Sequence, residues 1–252
     1  MNKPKKVVGF AYWVQGVRLY IGIGIVMATL EVWWWARMAF SGSLLTIRLQ
    51  ETYAWFSVVL LASALLIGPA CRLLPKFSGK QLLFDARRLL GVGAAWFASL
   101  HVLIAYGSQF NFISPLELAD SYQTAFALGV GALLVLLAMA FTSFDGAMRG
   151  LGVWWFRLHR LVYAAAILAL LHMFMVGVHA TAIGPLAATG LLALGLLTFH
   201  ISAVLHQTKR TTIWQVLTIG LTIIALGFVF NYGIQRYIDK NNALFGDHGH
   251  NT

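Results

Sequence analysis

The sequence predicts an all-α fold, a polytopic bundle of six or seven transmembrane helices. Composition is the first reason: 60% of the 252 residues are hydrophobic and 10% are charged, against about 25% charged in an ordinary soluble domain. Mean hydropathy is +0.77. The second reason is the arrangement of the apolar residues, which fall in runs of the roughly 20 residues that a helix needs to cross the hydrocarbon of a bilayer.

The predicted spans are 17–37, 53–74, 88–108, 122–142, 155–178, 183–205 and 212–231. Arg18 and Glu31 interrupt the first, and Trp33, Trp34 and Trp35 read as an aromatic belt at a membrane surface. The third and fifth are apolar but carry histidines. Turn-forming clusters at Pro75–Lys80, Ser143–Gly146 and Ala182–Pro185 separate spans. Residues 1–231 thus form a single transmembrane domain, followed by a polar tail, 232–252, that holds His248 and His250. Met1–Lys6 is basic, but the apolar run behind it lacks a small-residue cleavage site and is expected to be retained as a span.

Charge sets the expected orientation. Lys3, Lys5 and Lys6 precede span one. Arg72, Lys76, Lys80, Arg87 and Arg88 lie between spans two and three, Arg149, Arg157 and Arg160 around the start of span five, and Lys209 and Arg210 between six and seven. The alternate connections are poor in base and hold Glu51, Glu117 and Asp120. The positive-inside rule then puts the N-terminus in the cytoplasm. With seven spans the tail lies outside; with six it lies inside. The net charge of +10 is accounted for by topology, and no basic face with interleaved aromatics marks a nucleic-acid partner. Cys71 is the lone cysteine, which excludes a disulfide or a thiolate cluster within one chain.

His101, His159 and His172 stand inside otherwise apolar spans. An imidazole at bilayer depth is costly unless it binds something, and iron in haem is its commonest ligand there. At 1.5 Å per residue, His101 lies roughly 20 Å into span three and His172 about 25 Å into span five, both measured from the cytoplasmic side. They share a depth in the outer half and form a candidate pair of axial ligands to a b-type haem. His159 lies near the inner surface. In an ideal straight helix it points about 140° away from His172, so the two serve different sites. His200, in the inner half of span six, is the candidate partner for His159; one haem and two both remain open. His179 and His206 read as interfacial hydrogen-bonding residues.

Arg87, Arg88, Arg157 and Arg160 are candidates to neutralise the propionates of an inner haem. An outer one needs Arg37, Arg48, Ser108, Gln109 or Asn111. Gly91 and Gly93 permit close approach of a macrocycle or a helix, and Trp96, Phe97, Phe156, Tyr163, Met173, Phe174 and Met175 are candidate lining residues.

These residues carry a resemblance. Gly68 to Arg72, Arg87 to Gly91 with Trp96 and His101, Thr142 and Ser143, and Leu151 with Gly152, Trp155, Leu158 to Arg160, Tyr163 and His172 together resemble the ferric-reductase-like transmembrane family over about residues 50–178. The branch most similar is the haem-binding membrane subunit of the bacterial periplasmic methionine sulfoxide reductase system. The resemblance implies a bundle in the bacterial inner membrane holding one or two b haems, with His101 and His172 as the outer pair and His159 as the additional ligand. It implies an electron-transfer subunit of an oxidoreductase. Its donor is a flavin reductase, a bound FMN or other flavin, or the quinol pool, and its acceptor a periplasmic redox partner or ferric iron. The last span and the polar tail depart from the sulfoxide-repair branch, which leaves the acceptor open. No Gly-x-Gly-x-x-Gly motif following a strand marks a nicotinamide site. The competing reading is a non-catalytic membrane assembly protein whose histidines only knit helices; a transporter is disfavoured because spans two to seven hold almost no internal acid.

Overall fold

The computed structural model describes residues 6–73, 78–109, 112, 117 and 120–176. Its regular elements are all helices: α1 (Lys6–Ala39), α2 (Gly42–Leu73), α3 (Lys80–Gln109), α4 (Asp120–Phe141), α5 (Asp145–Leu151), α6 (Val153–His159) and α7 (Val162–Val176). Five stretches among the described residues are long and apolar enough to cross a membrane: Arg18–Ala39, Gly42–Gly68, Lys80–Ser108, Tyr122–Phe141 and Val153–Met173. The sequence-predicted spans 183–205 and 212–231, the tail, His179, His200 and His206 lie outside the described residues.

The structure redraws two boundaries. The connection between the first two spans shrinks to Phe40 and Ser41, because α2 begins at Gly42 and not near residue 53. Gly42 takes φ 59°, a left-handed backbone that a side chain would strain. Arg48, Gln50 and Glu51 are therefore helical, with Arg48 paired to Glu51 at 2.9 Å one turn on. The fifth span is also not one straight helix. α6 ends at His159, and the amide of Leu161 donates to the Leu158 carbonyl at 2.9 Å, a three-residue turn before α7 begins. The straight-helix angle expected between His159 and His172 does not apply across that turn.

Two apolar clusters hold the bundle. One joins Leu61 and Leu65 of α2 to Ala94 and Ala95 of α3, Leu136 and Met139 of α4, and Ala165, Ala166 and Leu170 of α7. Ala94, Ala165 and Ala166 are wholly buried; small side chains at these crossings let backbones approach, which is how helices pack where lipid removes the hydrophobic drive. The other gathers Val32 and Ala36 of α1, Leu49 and Tyr53 of α2 and Phe97 of α3. Gly93 belongs to this packing: a Cβ there would stand 2.9 Å from Ile25 Cδ1 and 3.0 Å from Leu60 Cδ1. Leu103, Leu134, Phe141 and Trp34 point outward, as a lipid-facing surface requires.

Hydrogen bonds cross the helices inside these seams. Ser57 donates to the Ala94 carbonyl at 2.9 Å, Tyr53 to the Thr29 carbonyl at 3.1 Å, and the Trp96 indole to Thr29 Oγ1 at 3.1 Å. Arg18, the charge that interrupts the first span, reaches Asp85 at 3.5 Å and Asp145 at 3.3 Å, and Asp145 also pairs with Arg88. One carboxylate thus ties the start of α5 to α1 and α3. Because Asp145 is half exposed, Asp145→Ala is expected to cost about 1 kcal/mol. The loss is measured as a lower melting temperature in detergent, and it shrinks at high salt.

Candidate functional site

The rings of His101 on α3 and His172 on α7 lie 6.3 Å apart between centroids, with their planes at 75°. α3 and α7 are not among the closely packed helix pairs of the described residues, so the imidazoles project toward each other across a looser seam. Each ring is held by the backbone of a third helix. His101 Nδ1 lies 2.9 Å from the Gln50 carbonyl of α2, and His172 Nδ1 lies 2.7 Å from the Ala125 carbonyl of α4. A carbonyl only accepts, so Nδ1 carries the proton in both rings and Nε2 is left with its lone pair. No described hydrogen bond uses either Nε2.

That arrangement fits an iron between the two rings. An Fe–N bond of about 2 Å on each side, plus about 1.1 Å from Nε2 to the ring centre, calls for centroids about 6 Å apart. Backbone acceptors on Nδ1 are the usual outer support of a metal-bound imidazole, fixing its tautomer and raising its basicity. Among the described residues no three metal-ligating side chains converge. Two imidazoles alone leave a bare ion short of ligands, whereas a porphyrin brings four nitrogens of its own.

His172 also sits directly on the backbone of α4. A Cβ built on Gly129 would stand 2.8 Å from its Nδ1 and 2.9 Å from its Cε1. Sequence reasoning passed over Gln50, Ala125 and Gly129. The first two act through main-chain oxygen and leave no side-chain signal. Gly129 and Gly131 did leave one, a Gly-x-Gly in span four at the depth reached by His172.

His159 stands at the other end of the bundle. Its Nδ1 donates to the Trp155 carbonyl at 3.0 Å, and its ring stacks on Trp155 with centroids 3.9 Å apart. Nε2 faces Ser143 Oγ at 3.4 Å, but the single hydroxyl proton of Ser143 goes to the Met139 carbonyl at 2.6 Å. Among the described residues no side-chain donor is aimed at His159 Nε2, and the Met139 carbonyl also stands near the ring. Trp155 in turn donates to the Thr142 carbonyl at 2.9 Å, so the Thr142–Ser143 and Trp155–His159 segments, distant in sequence, form one elbow. His200 lies outside the described residues.

The four arginines belong to this end. Arg88 is engaged by Asp145 and touches Met148 Sδ at 3.5 Å. Arg157 lies 4.7 Å over the Trp154 ring, and Arg160 is exposed at the break between α6 and α7. Arg87 reaches toward Gly68, where its Nη1 would be 3.9 Å from a Cβ. Arg88 is thirteen residues, roughly 20 Å, from His101 along α3, so this set does not serve the His101–His172 end. Nearest in sequence to that end, Arg48 is paired with Glu51 and Arg37 lies 5.0 Å over Trp33. Phe97 is spent on the core, stacked on Phe56 at 5.1 Å and Tyr53 at 5.8 Å, and Trp96 on α1.

Comparison with known proteins extends this picture. The protein-methionine-sulfoxide reductase heme-binding subunit MsrQ of Cronobacter sakazakii is 40% identical over 127 residues, covering 49% of this chain and 61% of the relative. The subunit of the same name from Rhodospirillum rubrum is 38% identical over 142 residues, 56% of this chain and 65% of the relative. That from Yersinia pestis is 35% identical over 130 residues, 49% and 59%. The chain thus spans about three-fifths of the length of these relatives. No solved structure matches it. The family model described as the ferric reductase like transmembrane component matches residues 53–170, a stretch that takes in His101 and His159 and stops two residues short of His172. Over that stretch the chain is similar to the ferric-reductase-like transmembrane family.

Proposed function

We propose that this protein is a membrane b-type cytochrome that relays electrons across the bacterial inner membrane, its N-terminus in the cytoplasm, to a periplasmic redox protein or to ferric iron. The reading rests on one observation: two imidazoles from different spans, both proton-bearing at Nδ1, with centroids 6.3 Å apart. The names of the similar subunits, which are heme-binding, support it. Haem bound there would supply a one-electron carrier. His101 and His172 would hold it through Nε2. The Gln50 and Ala125 carbonyls hold both rings in that tautomer, and the surrounding helices exclude water. No side chain has to act as a proton-transfer acid or base. The donor is a separate flavin reductase or a quinol, approaching from the His159 end.

The test is a visible spectrum of the full chain purified after expression with ample haem. A sharp reduced α band at the b-type position is expected. A colourless, folded preparation overturns the reading and favours the alternative, in which the two histidine–carbonyl bonds merely knit α3 to α2 and α7 to α4.

A second haem at His159, with His200 as partner and Arg87, Arg88, Arg157 and Arg160 near its propionates, is the further part of this proposal. The place of His159 near Arg87 and Arg88, with no donor on its Nε2 among the described residues, supports it. His159→Ala is expected to lower the haem-to-protein ratio while sparing the His101–His172 absorption. An unchanged ratio leaves one haem per chain.

A further inference from the structure

We propose that Gly129 is a positioning residue for the haem ligand His172, and that its missing side chain is what lets the ring reach the Ala125 carbonyl. This inference rests on the haem reading above and deepens it. In an α-helix each Cβ tilts toward the N-terminus, over the carbonyl four residues earlier. The residue that covers the Ala125 carbonyl is therefore Gly129. His172 Nδ1 takes that carbonyl at 2.7 Å, although the same oxygen is already the natural acceptor for the Gly129 amide in the helix ladder. A Cβ at 129 would come within 2.8 Å of Nδ1, 2.9 Å of Cε1 and 3.3 Å of Cγ. These are ring atoms, not the far end of a flexible chain, so the ring can yield only by giving up its carbonyl.

The partner imidazole is seated less tightly. His101 uses the Gln50 carbonyl at 2.9 Å, and the residue one turn beyond is Ala54, so that ring shares its acceptor with a methyl group. The two seats thus differ, and only the α4 seat needs glycine. Other glycines nearby make no such contact. At Gly131, on the same helix, a Cβ would meet only Leu168 Cδ1 at 3.4 Å.

The bond to Ala125 does two things for His172: it aims Nε2, and it lends the ring electron density, which strengthens its donation to iron and favours the oxidised state. Loss of the bond weakens the ligand and raises the midpoint potential.

The experiment uses the full chain in detergent, comparing wild type, Gly129→Ala and Gly131→Ala. Gly129→Ala is expected to lower haem affinity about tenfold or more, and the haem that remains shows a high-spin component and a raised midpoint potential. Gly131→Ala keeps the wild-type spectrum and potential. If Gly129→Ala retains wild-type stoichiometry, a low-spin spectrum and the same potential, the assignment falls. A wild-type protein without haem overturns the parent reading instead.

Should Gly129→Ala be too unstable to load, melting temperatures in the His172→Ala background decide the point by a double-mutant cycle. With the ring gone, the added methyl is expected to be neutral or stabilising, since alanine is the better helix former. Equal destabilisation in both backgrounds places the conflict elsewhere and overturns the proposal.

Discussion

Replacing His172 with alanine is expected to abolish the sharp reduced α band, and replacing His101 is expected to do the same. The reason is geometric. In the proposed haem site each imidazole would hold the iron from one side, and no second His, Cys or carboxylate stands beside either among the described residues to take its place. Haem left on a single ligand loses the six-coordinate, low-spin state, and affinity falls by at least about tenfold, the scale on which even supporting residues act. The measurement is a reduced-minus-oxidised spectrum with a haem-to-protein ratio, taken on protein shown to be folded. Persistence of the wild-type band in either variant would mean that iron is held elsewhere. His159→Ala is the companion, since it stands at the opposite end, beside Trp155 and Ser143.

Phe97→Ala carries the largest expected loss of stability. Its ring is 1% exposed and lies between Phe56 and Tyr53 in the α1–α2–α3 cluster. Removing it opens a cavity where three helices meet, at a cost of about 3–5 kcal/mol, read as a fall in melting temperature on the order of 10 °C. Phe156→Ala serves as the control, because Phe156 is exposed and such changes usually stay within about 0.5 kcal/mol. The two residues are both aromatic and both within apolar spans, so a comparable loss in each would undo the assignment of the core to Phe97. In the fraction of Phe97→Ala that remains folded, the absorption band keeps its position, since the carbonyls that seat His101 and His172 belong to Gln50 and Ala125.

Much of the candidate site was legible before any coordinates. The 1.5 Å rise of a helix is enough to put His101 and His172 at one depth once the spans are assigned, and the rings indeed meet. The supports of those rings were not legible. A main-chain carbonyl is present at every residue, so nothing in the letters Gln50 or Ala125 marks them as acceptors. Gly129 is one of 24 glycines, and only its neighbour distinguishes it. The arginines show the same: nothing in the sequence pairs Arg88 with Asp145, 57 positions away, yet the two meet.

The sequence by itself determined the all-helical class, the apolar spans long enough to cross a membrane and the place of each histidine along its span. In lipid every peptide group must bond within its own segment, so the length and apolarity of a run are enough to specify a spanning helix. Only the tertiary structure decided which helices neighbour one another, that α2 starts eleven residues early, that the fifth span breaks after His159, and that Arg18 closes on Asp85 and Asp145. Those outcomes depend on contacts between residues far apart in the chain, whose energies exist only after the helices have packed.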